Sequence, residues 1–168
     1  MAKPKAKRRI SEKDDVLAWI VRRSDGTYRR GNWSGPGVGK ALKDVDPDEA
    51  HWRPQHDQHN IAELALHMAY WKDAATAILA GQRWKYDDAQ NWRTVPETAE
   101  GWVQARAELD RAHARLMKVL RALSSDRLMQ RVRRSIRGID FAVDIATHDT
   151  YHSAQIFVLR RLYGGRHT

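Results

Sequence analysis

The spacing of apolar residues constrains this chain more than any other feature. Trp102, Ala105, Leu109, Ala112, Leu116, Val119 and Leu123 keep a strict 3-4 alternation through three heptads. Side chains so spaced share one stripe of an α-helix and cannot share one face of a β-strand. Ile61, Leu64, Met68, Trp71, Ala75 and Ile78 form a second stripe, and Ile145, His148, His152, Ile156 and Leu159 a third. Amphipathic helices owe most of their stability to burying such stripes against one another. No alternating strand pattern of any length accompanies them. The expected fold is all-α, an up-down four-helix bundle, because heptad-like stripes suit antiparallel packing.

Punctuation residues place the boundaries. Asn60 can cap the second helix, with Glu63 at the capping-box spacing, and Gly81 can end it. Ser124-Ser125-Asp126 closes the third helix. The fourth runs from about Asp140 to Tyr163 and stops at Gly164-Gly165. The first helix is the least regular. Asp14 to Arg23 carries an apolar face, Ser24-Asp25-Gly26 interrupts it, and Val38, Ala41, Leu42 and Val45 resume the pattern. A broken or kinked helix is expected there. Arg83 to Glu97 has no helical period but carries Trp84, Tyr86, Trp92 and Pro96, which predicts a long aromatic loop of functional interest.

With 168 residues the chain can bury a core without staples, and it has no cysteine. That removes disulfides, thiolate ligands and cysteine nucleophiles, so any metal site must use nitrogen and oxygen. No apolar run approaches the ~20 residues of a membrane span, and no apolar stretch of signal-peptide length follows the basic N-terminus. A cytoplasmic protein without a membrane partner is expected. Lys3, Lys5, Lys7, Arg8 and Arg9 supply five of the net +9 charges, so residues 1–12 read as a basic flexible tail and 13–168 as a single domain. Such an arm can bind nucleic acid by counterion release; a solvated leader is the simpler account. The seven tryptophans are scattered and build no single stacking platform.

The fourth helix carries the most specific chemistry. His148 and His152 are four apart, one turn along one face, so both imidazoles can converge on one cation. Both occupy the apolar stripe, where unpaired imidazoles would be poorly solvated. His67 sits beside the stripe of the second helix and can complete a set of three. Hydrogen-bonded core histidines are the alternative.

The segments His59–Trp71 and His148–Ile156 resemble the DinB/YfiT-like family of metal-dependent enzymes. So do Trp52-Arg53-Pro54, Asn91-Trp92 and Trp102, and the likeness runs from about Trp33 to Tyr163. Its most specific part is His-x3-His-x2-Gln combined with a distant helix-two histidine; Ala154 stands where the family commonly has glycine. The resemblance implies a four-helix bundle, often a homodimer, with a divalent metal, zinc or nickel, on His67, His148 and His152. It also implies a metal-dependent enzyme that acts on a small-molecule substrate. Either it transfers a low-molecular-weight thiol, as co-substrate, to an electrophile, or it hydrolyses its substrate. A non-catalytic metal-binding or nucleic-acid-associated bundle protein is the alternative.

Four other residues are weaker catalytic candidates. Asp149 could orient an imidazole, although a helix-surface carboxylate is the plainer reading. Glu63 could act as a base, but capping already explains it. Tyr151 and Gln155 could line the pocket. His113 is the one candidate for a fourth ligand, while His51, His56, His59 and His167 read as solvated or core histidines. Gly35-Pro36-Gly37-Val38-Gly39-Lys40 invites a phosphate-loop reading, which fails because Ser34 and Ala41 occupy positions where glycine and a hydroxyl residue are needed.

Overall fold

A computed structural model describes residues 12–165. The basic residues of the expected tail and His167 lie outside the described residues. The chain is mainly helical, and four helices are long: α1 (Glu12–Arg29), α4 (Ile61–Leu79), α6 (Ala99–Ala122) and α8 (Gly138–Gly165). Short helices fill the connections: α2 (Val38–Ala41), α3 (Pro47–His51), α5 (Asp88–Asn91) and α7 (Ser125–Met129). Two antiparallel hairpins, β1 (Gly31–Asn32) with β2 (Gly35–Pro36) and β3 (Arg131–Arg133) with β4 (Ile136–Arg137), complete the described residues. Strands of two or three residues are too short to leave an alternation in sequence, so the all-helical expectation missed them.

The break expected at Ser24-Asp25-Gly26 does not occur; α1 runs through it. A helical glycine costs about 1 kcal/mol relative to alanine, and tertiary contacts there outweigh it. Ile20, Ser24, Thr27 and Tyr28 all face inward, Asp25 accepts from Arg29 one turn on, and the Tyr28 hydroxyl donates to Asp110 at 2.8 Å. The chain breaks later, at Gly31. Its φ is +102°, and a Cβ there would lie 2.2 Å from the Gly35 carbonyl oxygen. Val38, Ala41, Leu42 and Val45 are buried as their spacing requires, but on α2 and the turn after it rather than on a continuation of the first helix.

The second stripe forms α4 as read. Asn60 accepts from the Glu63 amide at 2.9 Å, and the Glu63 carboxylate returns to the Asn60 amide. At the other end Gly81, with φ +80°, lets Gln82 N–H reach the Ala77 carbonyl and Gly81 N–H reach Ile78, a Schellman arrangement. The α6 stripe drifts from its heptad reading. Trp102, Ala105, Leu109, Ala112 and Leu116 are buried, but Leu120 is buried further along in place of Val119 and Leu123. A straight helix advances 3.6 residues per turn, so a strict 3.5 repeat slides about 20° per heptad off the buried face.

The alternating up-down order is corrected. Tyr28 and Asp25 of α1 meet Asp110 and His113 of α6 in reversed order, which makes those helices antiparallel. One apolar cluster holds Leu64 and Met68 of α4 with Ala105 and Leu109 of α6; the other holds Leu79 with Leu116 and Leu120. The two helices therefore run parallel, while Ile145 and Ile156 of α8 fall in those clusters in the opposite order. The order is up-down-down-up. The segment between α4 and α6 is long enough to return the chain along the helix length, which a tight turn could not do. Between the residues of the two apolar clusters each long helix contributes polar residues, among them Asp25, Lys72, His113 and Asp149, and on α8 His148 and His152 fall in the same stretch.

Candidate metal centre

His67 is near the middle of α4, and His148 and His152 lie one turn apart on α8, which packs against it. Their ring nitrogens converge. His148 Nε2 is 3.2 Å from His67 Nε2 and 3.0 Å from His152 Nε2, and the three ligand atoms lie within 4.8 Å of one another. One Nε2 proton cannot satisfy both contacts.

The outer nitrogens are already committed. His67 Nδ1–H donates to the Asn91 carbonyl at 3.2 Å. His152 Nδ1–H donates to Gln155 Oε1 at 2.6 Å. Each bond fixes the tautomer that leaves an Nε2 lone pair facing the centre. Burial holds all three imidazoles neutral: His67 falls below its ordinary range, His152 to about 4 and His148 to about 2, with neighbouring rings adding to the effect in each. Neutral imidazole is the form that ligates metal. Tetrahedral coordination with metal–nitrogen bonds of about 2.0–2.1 Å needs ligand atoms about 3.3 Å apart, and two of the three edges are already close to that. The residues fit a divalent cation.

Aromatic rings wall the centre. Trp92 is sandwiched between His67 and His59, at centroid distances of 3.8 Å and 3.7 Å, and Tyr151 meets His152 edge-on at 5.0 Å. Beside His152 opens a cleft of about 630 Å³ lined by Leu64, Trp92, Tyr151, Gln155, Val158 and Leu159, among others.

A family model described as the DinB superfamily matches residues 38–156. The chain belongs to the DinB superfamily. Searches of curated proteins and of solved structures found no match. No described helix is long and apolar enough to cross a membrane.

The remaining candidates divide. Gln155 holds the outer nitrogen of His152, and Tyr151 stands at the cleft, its hydroxyl accepting from Gln155 Nε2 at 3.2 Å. Glu63 is engaged elsewhere. Arg53 grips both its oxygens at 2.7 Å and His59 Nδ1 lies 3.1 Å away. Burial alone would raise its pKa, but Arg53 and His59 hold it below the usual range. Asp149 is neither a surface carboxylate nor an imidazole partner. It is 2% exposed and pairs with Lys72 at 2.6 Å; burial pushes its carboxyl up and Lys72 opposes this. His113 is not in the ligand group; it stacks on Tyr28 at 3.8 Å and lies 3.1 Å from Asp25. In the failed phosphate loop, Gly37 caps α2 and Lys40 is exposed.

Sequence reasoning missed the Asn91 carbonyl, the stacking of His59 on Trp92, and Lys72. A backbone acceptor leaves no residue-type signal. Lys72 occurs where a polar residue on a helix is ordinary. The aromatic density of residues 84–92 was the one available hint that this segment closes over the histidines.

Proposed function

We propose that this DinB-superfamily chain is a metal-dependent enzyme that joins a low-molecular-weight thiol to an electrophilic small molecule at His67, His148 and His152. The convergence of three neutral imidazoles beside an open apolar cleft carries the reading. Three protein ligands leave a tetrahedral ion one position for substrate, as in catalytic zinc sites. Such an ion supplies Lewis acidity that lowers the pKa of a thiol or water brought to it.

The chain's own residues do the rest. Gln155 and the Asn91 carbonyl orient the imidazoles. Trp92 and the aliphatic residues of α8 give the cleft an apolar wall, and Tyr151 and Gln155 present polar groups at its lip. Hydrolysis at the same centre is the second reading. The thiol reading is favoured because Glu63 and Asp149, the carboxylates nearest the ligands in sequence, are held in ion pairs and are not free as bases. Zinc or nickel suits an all-imidazole donor set.

The proposal includes a four-helix bundle formed by α1, α4, α6 and α8, with 13–168 as one domain in the cytoplasm. It also includes a homodimer.

The test is metal analysis of untagged protein followed by cobalt substitution. About one ion per chain and a new sulfur-to-cobalt charge-transfer band on adding a small thiol are expected, with thiol conjugation lost in His152→Ala. An unchanged cobalt spectrum together with cleavage of esters or amides would establish the hydrolase instead.

A further inference from the structure

We propose that the buried Lys72–Asp149 pair is a positioning device that sets the register of α8 against α4, and with it the spacing of the three imidazoles. The inference rests on the metal-centre reading above and concerns residues that do not touch the ligand atoms.

The pair is expensive as built. Lys72 and Asp149 are 1% and 2% exposed, and their 2.6 Å contact joins Lys72 Nζ to Asp149 Oδ2 alone. Asp149 Oδ1 has no hydrogen-bond partner among the described residues, and the ammonium also lies over the Tyr28 ring, 4.8 Å from its centre. Removing two charged groups from water is repaid only by excellent geometry and full hydrogen bonding. Apolar residues of similar size would fill the space at less cost. Such pairs are best explained where they enforce one arrangement over its neighbours.

Position supplies what needs enforcing. Asp149 lies in the turn of α8 that carries both His148 and His152, and Lys72 follows His67 by five residues on α4. The helix surfaces around them are rich in buried alanine, including Ala65, Ala69, Ala75, Ala142 and Ala146. Small side chains interdigitate shallowly and specify axial register weakly. A slip of one residue would displace a ligand by about 1.5 Å along the axis, whereas metal–ligand distances tolerate about 0.2 Å. A short directional contact between two single points removes that freedom. Tyr28, lying under the ammonium, donates to Asp110 at 2.8 Å, so the device joins all four long helices.

The experiment measures zinc affinity by chelator competition, the cobalt d–d spectrum and thermal unfolding of metal-free protein, for the parent, D149N, D149A and K72M/D149L. D149N, whose amide oxygen still accepts from Lys72, should bind zinc within about threefold of the parent. D149A should bind about 10–100-fold more weakly, the range found when partners that orient ligands are lost. K72M/D149L should unfold at or above the parent temperature, yet bind zinc at least about tenfold more weakly with an altered cobalt spectrum. A folded K72M/D149L with the parent's affinity and spectrum overturns the proposal. If that variant does not fold, D149A binding as tightly as D149N overturns it equally. A parent that binds no zinc or cobalt removes the metal reading and this inference together, which separates the two failures.

Discussion

Replacing Gln155 with leucine isolates what the residues around the ligands contribute. In the parent, His152 Nδ1–H donates to Gln155 Oε1 at 2.6 Å, and the Nε2 lone pair faces the centre. Leucine is close in size but accepts nothing. His152 is only 4% exposed, so no water readily replaces the lost acceptor. The ring can then turn to the other tautomer and donate from Nε2 to His148 Nε2, 3.0 Å away. That proton must move before a metal can bind. A lost buried hydrogen bond costs about 1–3 kcal/mol, and about 1.4 kcal/mol is a factor of ten in affinity. Gln155→Leu should therefore weaken zinc binding about 10–100-fold, which agrees with losses seen when imidazole-orienting partners are removed elsewhere. Gln155→Glu restores an acceptor and should bind at least as tightly as the parent. Competition against a chromophoric chelator gives the affinities, and nitrogen-15 NMR of the imidazoles gives the tautomer. Affinity in Gln155→Leu within threefold of the parent, with Nε2 still unprotonated, would refute the reasoning.

The buried His113 gives a pH dependence. Burial, aided by repulsion from Lys72, lowers its pKa to about 4 from 6.5. The folded state therefore binds fewer protons than the unfolded one. This stability is complete above the unfolded pKa and is lost as pH falls from 6.5 toward 4, amounting to about 2 kcal/mol by pH 5. Urea unfolding at pH 7 and pH 5 should show His113→Phe lacking that part of the parent's acid sensitivity; identical slopes would contradict it. In the core, Leu109 is fully buried at 0% exposure, and Leu109→Ala should cost about 2–5 kcal/mol with its cavity, read as a shift in urea midpoint at constant slope.

The local elements were legible because their causes are local. The capping box at Asn60 and Glu63, the stop at Gly81, the stripes of α4 and α8 and the first four turns of the α6 stripe follow from spacing and backbone preference alone. The i, i+4 pair His148 and His152 on an otherwise apolar face marked one half of the candidate centre in the same way. The spacing could not show that α1 continues through Gly26, since contacts from Tyr28 and Asp25 to a helix more than eighty residues away decide that. Nor could it give the direction of α6 relative to α4, because an apolar stripe looks the same whichever way its helix runs.

Tertiary structure alone decided how the polar residues were used. Sequence marks Asp149 and Lys72 as charged residues on helices, where solvent exposure is the ordinary outcome. Only the packing of α8 against α4 turns both inward to meet. Likewise His113 follows Ala112 on α6, and its neighbours there do not reveal that it stacks on Tyr28 rather than joining the ligand set. The Asn91 carbonyl that orients His67 has no side-chain identity to read. Residue type and periodicity determine which face of a helix is buried. Which buried polar groups meet depends on helix direction, rotation and register, and those are set by the sum of contacts across the whole assembly.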